Sequence, residues 1–457
     1  MGLRDLASIV KAYDIRGVVP GQLDEGTAEA VGAAFAAFTG ADTILTVHDM
    51  RTSSAPLAEA FGRGAASAGA DVLAAGLGST DMAYYGSGDL GIPGAMVTAS
   101  HNPPQYNGIK LCRAGAKPIG IETGLAEIGE LAGNGVPPAQ APGAVTGLDL
   151  LPGYAAYLNK LVDLSAIRPL TVAVDAGNGM AGYTVPEVFA GLPVTLIPLY
   201  FELDGTFPNH EANPIDPGNL RDLQRAVRGH RADIGLAFDG DADRCFVVDE
   251  RGEIVSPSAL TALIAVRELA REPGATIIHN LITSRAVPEI IAERGGTPVR
   301  TRVGHSFIKA EMARTGAVFG GEHSGHFYFR DFWSADSGML AALHVLAALG
   351  TDDKPLSVLL AEYSRYRASG EINSRVHDQA AVAAAVRKAF AGRPGVVTDE
   401  LDGLTVSTRD WWFNLRPSNT EPLLRLNAEA GTGETMASVR DEVLMLVRGQ
   451  SGGPRPS

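Results

Sequence analysis

The segment of the sequence best equipped for chemistry is 98–110, a polar stretch between two apolar, strand-like runs. Ser100 and His101 stand just ahead of two prolines, which stiffen the backbone that follows, and Lys110 closes the segment. A hydroxyl, an imidazole and an amine on one loop are the components of a nucleophile with acid–base assistance. An ordinary polar turn with a surface lysine has the same composition, so this segment alone establishes no site.

A second segment places carboxylates at alternate positions directly after an apolar run. Asp239, Asp241 and Asp243 follow the strand pattern of residues 234–238. Hard divalent cations such as Mg²⁺ prefer carboxylate oxygens, and without a cation three such charges would repel one another. An EF-hand loop would need glycine where Arg244 stands, and a preceding helix. A haloacid-dehalogenase-type nucleophile at Asp239 is a second alternative, although that family favours Thr or Val at the position of Asp243.

Three further features suggest binding of hydroxyl groups, binding of phosphate and acid–base chemistry. Glycines flank Glu322, His323 and Ser324, and a carboxylate makes strong hydrogen bonds to hydroxyl groups. Segment 416–422 combines an arginine, hydroxyls and an amide, which suit a phosphate, although a proline-bracketed turn would look similar. His305 opens a helical pattern and is either an acid–base group or a capping histidine.

Repeated strand–loop–helix units must position these segments. A short apolar run at 43–47 leads into a polar loop and then a helix near Pro56, and the loop ends of such α/β units are where ligands usually bind. The same plan recurs after the run 170–175, where the turn at Asn178 is best read as a simple connection. Residues 133–147, rich in Gly, Pro and Ala, are predicted to be a linker.

Composition limits the class of protein. The 457 residues exceed what one core can organise, and a net charge of −14 argues against a general nucleic-acid or anionic-membrane surface. Cys112 and Cys245 are far apart and suggest a reducing compartment rather than a disulfide framework. No signal peptide and no apolar run of about 18 residues is evident, so we expect a cytoplasmic protein without a membrane span.

Four motifs together resemble the alpha-D-phosphohexomutase family, in its phosphomannomutase/phosphoglucomutase branch. They are TASHNP at 98–103, DGDADR at 239–244, GEHSG at 321–325 and RPSNTEP at 416–422. Each is modest alone, but all four in this order and spacing are specific. The resemblance implies an α/β protein with three α/β/α sandwich domains of mixed sheets and a smaller α+β C-terminal domain around a central cleft. We expect the domains to span 1–147, 148–251, 252–364 and 365–457.

The resemblance also implies roles for the motif residues. Ser100 is similar to the phosphoserine of the family, and Mg²⁺ would be held by the seryl phosphate with Asp239, Asp241 and Asp243. The remaining catalytic positions match Arg16, His101, Lys110 and His305, with Lys110 and His305 as the acid–base candidates. The substrate-binding positions match Tyr13, Arg244, Glu322, His323, Ser324, Arg416, Ser418, Asn419 and Thr420. One departure is Leu281, where some members carry lysine, so one basic contact is in doubt.

The function that the resemblance implies is reversible conversion of mannose 6-phosphate and mannose 1-phosphate, and also of glucose phosphates. The reaction would pass through a phosphoserine and a hexose 1,6-bisphosphate, which would also be the activator. Small hexose phosphates would be the partners, with neither nucleic acid nor membrane, and the protein would be a monomer or weak homodimer. The alternatives are a phosphoglucomutase or phosphoglucosamine mutase, a phosphatase that uses Asp239 as nucleophile, and a non-catalytic sugar-phosphate-binding protein.

Overall fold

The computed structural model describes residues 6–418 and 423–449, and the side chain of His305 is outside the description. Its strands form four β-sheets, and each sheet is built from one consecutive part of the chain. The first three sheets are mixed, and the fourth is antiparallel. This architecture confirms the predicted fold class. Within the described ranges, the helices lack the combined length and apolar character that crossing a bilayer requires.

The first sheet and its helices form the N-terminal domain. Its elements are β1 (Ile15–Val18), α1 (Glu25–Thr39), β2 (Thr43–His48), α2 (Ser54–Ser67), β3 (Asp71–Leu77), α3 (Thr80–Leu90), β4 (Gly94–Val97), β5 (Tyr106–Arg113), β6 (Lys117–Pro118), α4 (Leu125–Asn134) and β7 (Val145–Gly147). The strand order is β1-β5-β4-β2-β3-β7, and β6 pairs with β5. Because β2, β3 and β4 are parallel, their carboxyl ends meet at one edge of the sheet.

The second and third sheets repeat this plan with five strands each. The second contains α5 (Leu151–Leu161), β8 (Leu170–Asp175), α6 (Ala181–Val188), β9 (Val194–Leu199), α7 (Arg221–His230), β10 (Ile234–Phe238), β11 (Cys245–Asp249) and β12 (Ile254–Val255). The third contains α8 (Pro257–Arg271), β13 (Thr276–Asn280), α9 (Ala286–Glu293), β14 (Thr297–Thr301), α10 (His305–Thr315), β15 (Phe319–Gly321), β16 (Phe327–Phe329), β17 (Ala335–Asp336), α11 (Gly338–Gly350) and α12 (Leu356–Leu359).

The fourth sheet belongs to the C-terminal domain. Its elements are β18 (Arg367–Arg375), α13 (Gln379–Phe390), β19 (Val397–Asp399), β20 (Leu404–Ser407), β21 (Trp411–Pro417), β22 (Leu423–Ala430) and α14 (Gly433–Gly449). Short 3₁₀ turns elsewhere in the chain cover Ile121–Thr123, Pro217–Leu220, Arg330–Phe332 and Leu360–Tyr363. The predicted domain boundaries stay predictions, and β12 pairs with the second sheet although it lies beyond residue 251. The predicted linker 133–147 is not wholly irregular, because its end forms β7 on the edge of the first sheet.

Local sequence explains why the helices form where they do. Asp24 caps α1 by accepting a hydrogen bond from the Thr27 amide, and Gly40 ends the helix in the left-handed conformation. Helices α1 and α2 cross so closely that a Cβ on Gly32 would lie 2.0 Å from a carbonyl oxygen of α2. A glycine at this crossing therefore sets the spacing of the two helices on one face of the first sheet.

The buried apolar side chains form separate clusters, and one of these clusters is shared by several domains. One continuous cluster runs from Leu45 and Met82 of the N-terminal domain through the second and third domains to Tyr363. The C-terminal domain has a separate cluster around Phe390 and Phe413. It joins the third domain largely through polar contacts, in which Arg285 donates to the carbonyls of residues 408 and 409. The first three domains thus share one packed unit, to which the fourth is attached.

Asp81 lies where the first three domains meet. It is buried and accepts hydrogen bonds from Ser79 of its own domain, Tyr154 of the second and Ser337 of the third. Burial raises the pKa of Asp81 from 3.8 to about 6, and the three hydroxyls only partly offset that rise. A carboxylate that can ionise therefore holds together the junction on which the alignment of the site loops depends.

Asp81→Asn should change how stability depends on pH. Because the folded state of the wild type binds this proton more tightly than the unfolded state, the contribution of Asp81 to the free energy of unfolding falls by about 2 kcal/mol from pH 4 to pH 6. The variant cannot ionise, so its thermal midpoint should improve relative to wild type as pH rises from 4 to 7. Asp89→Asn, at an exposed carboxylate of the same helix, is the control. Parallel pH curves for wild type and Asp81→Asn would contradict this assignment.

Candidate active site

The loop after β4 presents Ser100 in an unusual conformation. Its φ is +51°, in the left-handed region that non-glycine residues rarely adopt, and its amide donates to the Thr98 hydroxyl at 2.9 Å. The Ser100 hydroxyl donates to Asp239 Oδ2 at 2.9 Å and lies 3.3 Å from His101 Nδ1. The predicted nucleophile of the first domain therefore contacts the predicted metal loop of the second.

The metal loop follows β10 and brings its three aspartates together. Ligand oxygens of Asp239, Asp241 and Asp243 all lie within 4.8 Å of one another, and all three residues are buried. One oxygen each of Asp241 and Asp243 is buried without a hydrogen-bond partner among the described residues. Converging carboxylates with oxygens left open are the donor set that a hard cation takes, so these residues fit Mg²⁺.

Cationic side chains neutralise this cluster. Lys110 Nζ donates to Asp241 Oδ2 and Asp243 Oδ2 at 2.7 Å each, and Arg244 Nε donates to Asp239 at 2.8 Å. Burial raises the pKa of Asp239 to about 7, and the charges of Asp243 and Asp241 add to that rise. Burial alone would lower the pKa of Lys110, but the two carboxylates outweigh it and raise that pKa well above its ordinary value. Lys110 is therefore a firmly protonated ammonium.

The predicted sugar-binding motif of the third domain lies directly against the predicted metal loop. Arg244 and His326 form an isolated antiparallel bridge, and the Cys245 amide donates to the Gly325 carbonyl at 3.2 Å. His326 Nε2 lies 3.6 Å from Asp243 Oδ1, and its Nδ1 lies 2.8 Å from the Ser324 hydroxyl. The second and third predicted motifs are thus neighbours in space.

Glu322 is held in place by hydrogen bonds to its carboxylate. It accepts one from the Tyr328 hydroxyl at 2.7 Å and another from the Gly304 amide, just before α10, at 3.1 Å. The Tyr13 hydroxyl lies against Gly304 from the first domain, because a Cβ added there would stand 3.0 Å from it. The structure therefore brings Tyr13, Glu322 and the start of α10 together. The side chain of His305 lies outside the described part of the chain.

Arg16 and the C-terminal motif complete the cleft. Arg16, on β1, donates to the Asn102 side chain at 2.6 Å, beside Ser100. In the C-terminal domain, Arg416 donates to Glu371 at 3.0 Å, and Arg425 lies 3.4 Å from the Ser418 hydroxyl. Asn419 and Thr420 lie outside the described residues, so their predicted roles stay predictions.

His323 links the sugar-binding motif to the C-terminal one. Burial lowers the pKa of His323, while the charges of Glu371 and Arg416 act on it in opposite directions. These charges come from the C-terminal domain, so the structure places the Arg416 region beside the GEHSG segment. Loops from the first three domains therefore meet at the aspartate cluster, and charged residues of the C-terminal domain act on His323 of the adjoining segment.

Several residues that contact the site were not predicted as site residues. Thr80 donates to Asp241 at 2.6 Å, Arg51 holds the Ser100 loop, and His326 approaches Asp243. Each lies within five residues of the end of a strand, with Thr80 as the first residue of α3, and this position was the available signal. No local pattern distinguishes these side chains from their neighbours, because their partners lie tens to hundreds of residues away in the sequence.

Removal of the Lys110 ammonium should tighten cation binding. In Lys110→Met two carboxylate oxygens lose the charge that competes with a metal, so we expect Mg²⁺ to bind about tenfold more tightly. Titration calorimetry at pH 8 measures this affinity, and added Mg²⁺ should raise the thermal midpoint of the variant more than that of wild type. Lys117→Met, at an exposed lysine nearby, should behave as wild type. Equal or weaker Mg²⁺ binding by Lys110→Met would refute the proposed competition.

Comparisons with known proteins agree with this arrangement. Models of the phosphoglucomutase/phosphomannomutase α/β/α domains I, II and III match residues 7–134, 152–252 and 256–366, and the C-terminal domain model matches 371–446. A phosphomannomutase of Escherichia coli is 40% identical over 450 residues, covering 96% of this chain and 98% of the relative. A protein of Xanthomonas campestris described as phosphohexose mutases is 39% identical over 444 residues, covering 96% and 99%.

A solved structure extends this agreement to the fold. The crystal structure of a phosphoglucomutase/phosphomannomutase family protein from Burkholderia thailandensis has a TM-score of 0.88 and 32% identity, and covers 98% of both chains. With all four domain models matched in order and close relatives aligned along nearly their whole length, the chain belongs to the phosphoglucomutase/phosphomannomutase family.

Proposed function

We propose that the protein is a phosphohexomutase that interconverts mannose 6-phosphate and mannose 1-phosphate, and also glucose phosphates. The observation that carries the proposal is the 2.9 Å contact between the Ser100 hydroxyl and Asp239, inside a cluster of three buried carboxylates. A hydroxyl beside a cation site is what a phosphoserine intermediate requires. The relatives' names support mannose phosphate as substrate. We expect a cytoplasmic monomer or weak homodimer.

Asp239, Asp241 and Asp243 are the residues that would hold Mg²⁺, together with a phosphate on Ser100. When bound, the cation supplies charge neutralisation on the transferring phosphoryl oxygens. Arg244 is poised to contact the same phosphate, since its Nε already bonds Asp239 and its buried Nη2 has no hydrogen-bond partner among the described residues. The chain thus provides both a cation site and an arginine for a phosphate that carries about −1.5 to −2 charge.

Phosphoryl transfer then needs positioned proton donors and acceptors. As the bond between Ser100 Oγ and phosphorus breaks, a bond forms between phosphorus and a sugar hydroxyl oxygen, and that hydroxyl gives up its proton to a base. Lys110 keeps a proton beside the cluster and is suited to return it to the serine oxygen. His305 is the predicted base for the sugar hydroxyl.

Both ends of the sugar must reach Ser100 in turn. After the first transfer the hexose 1,6-bisphosphate turns over, and its other phosphate returns to Ser100. Glu322 and Ser324 would bind hydroxyls in either orientation, while Arg416 and Ser418, with Asn419 and Thr420, would grip whichever phosphate is not reacting. Hexose 1,6-bisphosphate added from solution would phosphorylate Ser100 and so act as activator.

Two rival functions make different demands. A phosphatase that uses Asp239 as nucleophile would release inorganic phosphate and carry a phosphorylated aspartate. Asp239 Oδ2 already accepts hydrogen bonds from Ser100 and Arg244, an arrangement that suits a ligand-binding carboxylate better than a free nucleophile. A non-catalytic sensor would bind hexose phosphates without turnover, and it would have no use for Ser100 beside a cation site.

Ser100→Ala should abolish turnover. The variant lacks the oxygen that carries the phosphoryl group, so conversion of mannose 1-phosphate to mannose 6-phosphate should fall by about 10⁴-fold or more. A coupled assay measures the loss, and intact-protein mass spectrometry should show a phosphate on the wild type alone. Ser67→Ala, at an exposed serine of the same domain, should retain full activity. Wild-type turnover by Ser100→Ala would refute the phosphoserine role.

Substrate preference should be broad between epimers. Mannose and glucose phosphates differ in the direction of one hydroxyl, and a site that accepts the sugar in two orientations is expected to discriminate such pairs weakly, by about 100-fold at most. We therefore expect kcat/KM for mannose 1-phosphate and glucose 1-phosphate within that range, and a lower value for glucosamine 1-phosphate. Steady-state assays on the three substrates decide the matter, and a preference for glucosamine 1-phosphate would overturn this assignment.

A further inference from the structure

We propose that Arg51, in the loop after β2, is a positioning residue that holds Ser100 in its transfer-competent conformation. The inference rests on the proposed function and adds a residue to it. Arg51 is 3% exposed and lies beneath the Ser100 loop, so it acts through that loop and not by touching the substrate. Its role follows from the hydrogen bonds that it donates to backbone carbonyl groups.

One guanidinium group binds the backbone of the nucleophile loop at several points. Arg51 Nη2 donates to the carbonyl oxygens of Ser100 and Asn102 at 2.7 Å each. Its Nη1 donates to the carbonyls of Pro103 and Tyr106 at 2.9 and 3.1 Å. The planar fork therefore fixes the path of the chain from residue 100 to residue 106.

Asp49 fixes the arginine in turn. Its carboxylate accepts hydrogen bonds from the Arg51 amide at 3.0 Å and from Arg51 Nε at 3.2 Å, and the Thr98 hydroxyl donates to it at 2.7 Å. The Thr98 hydroxyl also accepts the Ser100 amide, so one bonded chain runs from Asp49 to both sides of Ser100. This chain offsets the backbone strain that a left-handed serine carries.

The second domain closes over the same arginine. The Phe207 ring lies 5.0 Å from the guanidinium carbon, and a Cβ on Gly205 would stand 2.5 Å from the Arg51 Cα. A Cβ on Gly240, within the metal loop, would lie 2.5 Å from the Ser100 carbonyl oxygen. Arg51 therefore lies where the two domains that supply Ser100 and Asp239 meet, and it can fix their mutual alignment.

A single-turnover experiment separates positioning from stability. Enzyme that carries a labelled phosphate on Ser100 is mixed with a saturating excess of mannose 1-phosphate and quenched at intervals, and transfer of the label to sugar is measured. The amplitude then counts the folded, phosphorylated sites, while misalignment lowers the rate constant. We expect both Arg51→Met and Arg51→Lys to lower the rate constant by about 100-fold, because lysine cannot span four carbonyls. Mg²⁺ affinity by calorimetry and KM should stay within about threefold of wild type, since the aspartates and the sugar site are intact.

Thr98→Val keeps the inference testable if the Arg51 variants fold poorly, and Arg168→Met is its control. Thr98→Val preserves volume but removes the hydroxyl that links Asp49 to the Ser100 amide, and we expect a rate constant about tenfold lower. Arg168→Met breaks a comparable arginine–aspartate pair, Arg168 with Asp233 at 3.0 Å, away from the site and should leave the rate constant unchanged.

A wild-type rate constant in folded Arg51→Met or in Thr98→Val overturns the positioning role. So does a fall in amplitude alone. If Ser100→Ala is inactive and these variants are unaffected, only the role of Arg51 fails. If Ser100→Ala is active, the proposed function itself fails.

Discussion

Mutual repulsion within the aspartate cluster is the constraint on which the rest of the structure depends. Three carboxylates whose oxygens lie within 4.8 Å cannot all be buried and ionised without compensating charge. Lys110, brought from another domain, and Arg244 supply that charge in the structure, and Mg²⁺ would take up the oxygens that remain open. The cluster therefore brings two domains into contact, and it does so beside the Ser100 hydroxyl, for which we propose the phosphoryl-carrying role.

The shared core explains how such a cluster can be kept in register. One apolar cluster that spans the first three domains ties together the elements that carry the loops after β4, β10 and β15. Polar contacts then refine the alignment at three places: Asp81 between all three domains, Arg51 beneath the serine loop, and Glu322 against the start of α10. Apolar packing supplies the rigidity, and these buried polar groups determine the orientation.

Sequence reasoning was strongest where chemistry is local. The strand ahead of Asp239 and the helix near Pro56 follow from local pattern, the fold class follows from the family resemblance of the four motifs, and the structure confirms all three. Contacts that join distant segments could not be predicted from the sequence. Thr80 and Arg51 matter because of partners 161 and 49 residues away, and no propensity records such a pairing. The end of the supposed linker became β7 because an unpaired edge of the sheet was available to it.

The separate core of the C-terminal domain has a mechanical consequence. Within the described ranges, Phe390, Phe413 and their neighbours form an apolar cluster of their own. The C-terminal domain can therefore rotate relative to the others without exposing a shared apolar core. Such a hinge movement would break only contacts such as those of Arg285, each worth about 0.5–1.5 kcal/mol. The C-terminal domain that carries Arg416 can therefore open and close at modest energetic cost. Opening would give the bisphosphate intermediate room to reorient before the domain binds it again.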